Sequence, residues 1–264
     1  MITPIESIAI RLLCCLTLLF PALTAAGSCG QPATAITEIQ GASDTSALVG
    51  QTVTIEGVLT QDSRQAGGFS GIYLQQADTP ANSTRSSALF VYTRHKGGRS
   101  GQRLRITGKV KEHYGLTELV AVSALQVCGT QALPAPVDVS LPWTRTPESL
   151  ENMRIRINGP LQITDSYQLA RFGEISLAPE DPVVSTEFMT PGALALRHTA
   201  VSSLNTLVLD DGQARRNPAS LNWLPAYKAT QPGSATSSLV AGTQVHSLIG
   251  VLDYRYGAWR LQPD

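Results

Sequence analysis

Charge is scarce and evenly balanced in this chain. Lys and Arg number 20, Asp and Glu number 20, and charged residues make up 15% of the 264. Bulk electrostatics therefore gives no pull toward nucleic acid or anionic membrane, and any charged site must be local. Aromatics are also few, at 6%. The longest apolar run is about 12 residues, short of the roughly 20 that a membrane-spanning helix needs. Four histidines, His95, His113, His198 and His246, are scattered, and none forms a ligand pair at metal spacing. There is no Gly-x-Ser-x-Gly elbow, no Walker loop and no dinucleotide fingerprint after a strand. No catalytic residue, metal or cofactor is expected, and the chain reads as non-enzymatic.

What is present begins with an export signal. Arg11 precedes the apolar run LLCCLTLLF, and small residues follow at Ala22, Ala25, Ala26 and Gly27. That order is the pattern of a secretory signal peptide over residues 1–26, with a retained anchor as the rival reading. Cleavage after Ala26 removes Cys14 and Cys15 and leaves Cys29 and Cys128. Two cysteines in an oxidising compartment suggest a disulfide, and the chain is expected to be secreted or periplasmic. Lipidation of Cys29 is the alternative, but Ala26-Gly27-Ser28 lacks the Leu usual three residues before a lipidated Cys.

The remaining sequence is strand-like. Short runs rich in Val, Ile, Leu and Thr alternate with Gly, Pro, Ser and Asp clusters, without a sustained 3.6-residue period. Strands are expected at 52–60, 71–76, 88–93, 103–112, 117–122 and 125–128, and again at 153–157, 161–164, 173–177, 206–209, 245–253 and 259–261. One short helix is expected at 146–152, and Asp210-Asp211-Gly212 reads as a turn. Between the two sets, LPAPVDVSLP (133–142) holds three prolines in ten residues and reads as an extended linker.

The two sets are related. GQRLRITGKVKEHYGLTEL from Gly101 resembles GTQVHSLIGVLDYRYGAWRL from Gly242, with six residues from Gly108 to Tyr114 and from Gly250 to Tyr256. A period of about 142 residues is too long for a solenoid and means two copies of one domain. The fold class expected is therefore all-β, with two tandem OB-like Greek-key barrels, one over 27–130 and one over 146–264, joined by a Pro-rich linker over 131–145. An immunoglobulin-like sandwich is the runner-up, but no Trp lies between Cys29 and Cys128.

The strongest candidate for chemistry is strand 103–111. Leu104, Ile106 and Val110 fall on one face, and Arg103, Arg105, Thr107, Lys109 and Lys111 on the other. Arg94, Lys96 and Arg99 precede it, Arg85 lies further back, and Tyr92 and Tyr114 are aromatics that could stack on bases. These residues form the candidate nucleic-acid site. The bland alternative is a solvated or edge-guarding strand. The second copy has Ile249, Val251 and Asp253 at the matching positions, so it reads as a packing or scaffold module.

Several motifs in order resemble the opening region of bacterial extracellular nucleases of the ExeM/NucH type. They are ITEIQG from Ile36, LVGQTVTIEGV from Leu48, GIYLQ from Gly71, LFVY from Leu89, the Gly101–Val110 run and YGLT from Tyr114. They continue with LENM from Leu150, LARFGE from Leu169, LVLDDG from Leu207, GVLDYRY from Gly250 and LQP from Leu261. Cys29 and Cys128 sit where that family has its two cysteines. The resemblance implies OB-like domains ahead of a metal-dependent endonuclease/exonuclease/phosphatase domain, whose ligands have no counterpart before Asp264. The family's Asp- and Gly-rich loop is also replaced by ADTPANSTR from Ala77. The expected function is then a non-catalytic nucleic-acid-binding or targeting region of a secreted DNA-degrading nuclease. Its expected partners are DNA, bound weakly and as single strands, and a separate nuclease domain. A cell-surface or periplasmic protein-interaction or scaffold module is the alternative.

Overall fold

The computed structural model describes residues 28–78, 83–180, 185–221, 223 and 239–264. The expected signal peptide over 1–26 lies outside the described residues. Strand accounts for 40% of residues and helix for 12%, so the fold is mostly β-sheet.

The first module is a closed five-stranded barrel. Its strands are β1 (Thr52–Ser63), β2 (Gly71–Gln75), β3 (Ala88–Tyr92), β4 (Gln102–His113) and β5 (Leu116–Thr130). The order is β1-β2-β3-β5-β4, closed by β1 against β4, with β3 and β5 parallel and the other pairs antiparallel. Alternation drives Ile55, Leu59, Ile72, Leu74, Leu104 and Ile106 inward, where each is fully buried. Helix α1 (Ile36–Gln40), which sequence patterning missed, adds Ile36 and Ile39 to that core. The two strands expected at 117–122 and 125–128 are one strand, β5. Ala121 sits there at φ 47° beside a register shift opposite Thr107 and Lys109, so the ladder bulges without ending.

The second module repeats this order with two changes. Its strands are β6 (Val137–Val139), β7 (Arg154–Ile157), β8 (Leu161–Asp165), β9 (Ile175–Ala178), β10 (Leu207–Leu209), β11 (Gln244–Val245), β12 (Leu248–Arg255) and β13 (Ala258–Pro263). They form an eight-stranded sheet of order β11-β8-β9-β10-β13-β12-β7-β6. Matching β4–β5 to β12–β13, the run β8-β9-β13-β12-β7 copies β2-β3-β5-β4-β1, with β10 inserted before β13. The sheet is not closed as the first is. Strand β1 has twelve residues and gives its first half to β4 and its second to β2. Strand β7 has four residues, ends before Asn158-Gly159-Pro160, and has β12 on one edge and β6 on the other. No edge of β7 remains for β8.

That finding also corrects the expected linker. Val137, Asp138 and Val139 pair in parallel with Ile155, Arg156 and Ile157. As an edge strand β6 needs only one hydrogen-bonding side, so Pro134, Pro136 and Pro142 are tolerated around it. The helix expected at 146–152 is a single 3-10 turn, Pro147–Leu150, anchored by buried Leu150. Three further short helices are α2 (Leu169–Phe172), α3 (Ser185–Phe188) and α4 (Ala193–Ser203).

The glycines of the repeat mark close approaches between strands. A Cβ on Gly108 would lie 2.8 Å from the Val120 carbonyl oxygen, and one on Gly250 would lie 2.2 Å from the Gln262 carbonyl oxygen. Cys29 and Cys128 form a disulfide across 99 residues. No described helix is long and apolar enough to cross a membrane.

Candidate nucleic-acid interface and the module junction

The outward face of β4 does carry the predicted cations, but its neighbours neutralise much of it. Glu56 on β1 lies directly across from Arg105, and Glu118 on β5 directly across from Lys111. Arg105 is buried. It binds Glu56 at 2.8 Å and donates to the carbonyls of Gln31 and Pro32, in the N-terminal segment that the disulfide pins over this face. Arg103 is half-buried, with Glu56 at 3.9 Å, and Lys111 has Glu118 at 3.7 Å. Burial alone would raise the Glu56 pKa, but the hydrogen bonds from Arg105 and the Gly30 amide and the two guanidinium charges hold it below its ordinary value. The expected stripe Arg103, Arg105, Lys109 and Lys111 is thus corrected at Arg105. That residue is a structural cross-strand partner, unavailable to a ligand.

Four candidates keep free charge. Arg94, Lys96 and Arg99 in the β3–β4 loop, and Lys109 on β4, are exposed and make no ion pair among the described residues. Arg64 holds the loop in place, because its guanidinium donates to the carbonyls of His95, Gly97 and Gly98. Tyr92, just before the loop, is 45% exposed. Tyr114 is 88% exposed, at the far end of β4. The structure therefore divides the nine predicted residues. One group is a loop-centred cluster with Tyr92, Lys109 stands apart on the strand, and the rest are buried, paired or distant.

The outer face of β2 and β3 is the other surface of the first module that a ligand would need. Here it is occupied. Phe69, Tyr73, Phe90 and Leu116 of the first module pack with Val251 of the second in one buried cluster. The Tyr73 hydroxyl donates to Asp253, Arg255 binds the same carboxylate, and the Arg255 guanidinium lies 4.2 Å from the Phe69 ring centroid and 4.5 Å from that of Phe90. Burial raises the Tyr73 pKa, with the Asp253 charge next in the same direction. Val251 and Asp253, read from sequence as outward positions of a packing or scaffold module, are fully buried at this junction. The scaffold reading of Val251 is corrected in one respect: its partner is the first module.

A second group of contacts flanks that cluster. Glu151 is fully buried and accepts hydrogen bonds from the Gln40 side chain and the Thr117 amide of the first module. Burial and then the charge of Glu148 raise its pKa well above the ordinary carboxylate range, and Glu148 itself is raised to about 7 by burial, Asp44 and Glu112. Sequence reasoning missed both residues. The local signal is slight: in LENM an acid follows Leu150 and stands two residues before Met153.

His198 accepts or donates at 3.0 Å with Ser185, and His95 is bound to the Val122 carbonyl. Asp210 is buried against Arg260 and accepts from the Gly212 amide, consistent with the predicted turn. Among the described residues no group of three His, Cys, Asp or Glu has metal-holding geometry. No protein-family model matches the chain, and no curated protein matches it.

Proposed function

We propose that this chain is a non-catalytic nucleic-acid-binding or targeting region of a secreted DNA-degrading nuclease of the ExeM/NucH type, with OB-like modules. The observation that supports it best is the loop Arg94–Arg99, which offers three exposed, unpaired cations beside exposed Tyr92. Binding through these and Lys109 is weak and electrostatic. Four phosphate contacts on a single strand give a log–log salt slope of about −3. Fluorescence anisotropy of a labelled oligo-dT across a salt series tests this. Loss of binding in an R94A/K96A/R99A/K109A variant supports it. Absence of binding at low salt, or binding unchanged in that variant, overturns it.

One observation favours a protein-interaction module instead. Leu194, Leu196 and Val201 of α4, with Leu204 just beyond, are 60–73% exposed, an unusual density of large apolar side chains on a surface. A partner held there would be released by L194E/L196E and unaffected by the loop variant. The disulfide and the absence of a spanning helix among the described residues fit an exported protein under either reading.

A further inference from the structure

The repeat brings its own two turns to one place. His113 pairs with Leu116 and Arg255 with Ala258, so Tyr114-Gly115 and Tyr256-Gly257 are both two-residue hairpin loops. All four loop residues have positive φ: 53° and 85° in the first, 54° and 77° in the second. Such a turn favours Asn-Gly, because a bulky side chain at its first position is strained. Each module nevertheless places a tyrosine there, and each ring is exposed, at 88% and 72%. Tyr114 meets His113 edge-on and Tyr256 lies over Arg260, but neither ring is buried, and a strained, exposed residue is a reason to look for a ligand.

The two turns share a cleft of about 610 Å³, floored by Tyr254, whose ring packs against Gly115. A second cleft of about 850 Å³ shares Tyr254 and Gly257 with the first and is also lined by Trp259 and Trp143. Five of the chain's fifteen aromatics (Tyr114, Tyr254, Tyr256, Trp259 and Trp143) line these two adjoining clefts, which share Tyr254 and Gly257. Their volume is ample for a small-molecule or chain ligand.

The depression has aromatic surface, and its arginines are engaged. Arg255 is bound to Asp253, Arg260 beneath the Tyr256 ring is paired with Glu174 and Asp210, and Arg145 is committed to Ser149 and the Ser83 carbonyl. Lys111 beside the first turn faces Glu118. A nucleic acid would bring a phosphate with every base and find each lining arginine already engaged. A sugar ring is uncharged, presents flat C–H faces to aromatic rings, and carries hydroxyls that the tyrosine and indole edges can meet.

We propose that the depression between the two hairpin turns binds a neutral polysaccharide by stacking sugar rings on Tyr114, Tyr256 and the adjoining Trp259. This site is separate from the loop cations, so it stands or falls independently of the nucleic-acid reading.

Affinity electrophoresis in native gels cast with soluble starch, dextran, laminarin or hydroxyethylcellulose tests it. The expected result is retardation in at least one of the four gels. A Y114N/Y256N variant keeps the turns, since Asn suits them better, and should melt no lower than the parent while binding about tenfold more weakly or less. Y114F/Y256F, which retains the rings, should bind as the parent does. Three results would overturn the proposal: no retardation in any gel, retardation unchanged in the Asn variant, or an oligo-dT shift that depends on the two tyrosines.

Discussion

The Tyr73 hydroxyl on β2 donates a 2.7 Å hydrogen bond to Asp253 on β12, and both residues are fully buried. This bond joins the outer face of the first module's β2 to the other module's repeat strand. It explains why the matching positions of the two repeats differ in character. Lys109 and Lys111 face water, whereas Val251 and Asp253 face the first module.

Tyr73→Phe removes that bond but leaves Asp253 with Arg255, so a loss of about 1–2 kcal/mol is expected. Asp253→Ala leaves the Arg255 guanidinium buried without its counter-charge, with an expected loss of about 3–5 kcal/mol. Urea unfolding of both variants checks the order. If the two cost the same, the charge pair contributes nothing beyond the hydroxyl bond.

The repeat glycines allow a comparison within one molecule. At Gly250 an added Cβ meets only backbone, at 2.2–2.8 Å, whereas at Gly108 two of the three nearest atoms belong to the Leu119 side chain. Side chains yield more readily than a hydrogen-bonded ladder. Gly250→Ala should therefore destabilise by about 3 kcal/mol and Gly108→Ala by about 1–2 kcal/mol, in the range for overpacking. Thermal melts of the two variants would test the ranking.

These glycines also show how much of the fold was legible. The repeat, most strand positions and the disulfide pair were readable, because alternation, turn residues and cysteine count act locally. The openness of the second sheet was not. It depends on β7 having four residues where β1 has twelve, and on a proline-flanked segment taking the free edge. For the candidate site, the sequence showed which side chains leave the β4 strand but not what lies across from them. Glu56 and Glu118 come from strands whose register only the barrel sets. The junction did leave a trace in ALFVY (88–92), an unbroken apolar run of the kind that marks a strand covered on both faces.

The disulfide has a second consequence beyond chain entropy. It holds the segment whose Gln31 and Pro32 carbonyls cover Arg105. A Cys29→Ser/Cys128→Ser variant should lose about 3–5 kcal/mol in the loop-closure picture. It should also expose Arg105 and Glu56, which faster amide exchange over residues 52–58 would report. Unchanged exchange there would show that the segment stays docked without the bridge.

The acids at the junction set a pH dependence with a definite sign. Glu148 has an ordinary pKa of 4.5 that folding raises to about 7, by burial first and then by Asp44 and Glu112. Glu151 is raised further by burial, Glu148, Asp253 and Glu112, against the hydrogen bond from Gln40. A carboxyl whose pKa rises on folding holds its proton more tightly in the folded state. Its contribution is complete below pH 4.5 and is lost as pH climbs through about 7 for Glu148, and higher still for Glu151. The protein should therefore be more stable near pH 5 than near pH 8. Asp211, raised from 3.8 to about 7 by burial, adds a slope of the same sign at a separate place. Glu148→Gln should remove part of the slope and stabilise at pH 8 by on the order of 2 kcal/mol, after discounting for solvent screening. Glu151→Gln should also stabilise at pH 8, since the amide keeps an acceptor for Gln40 and Thr117 without a charge. Denaturant midpoints measured from pH 5 to pH 8 decide it. Parallel profiles for the parent and both Gln variants would show that these carboxyls do not govern the junction.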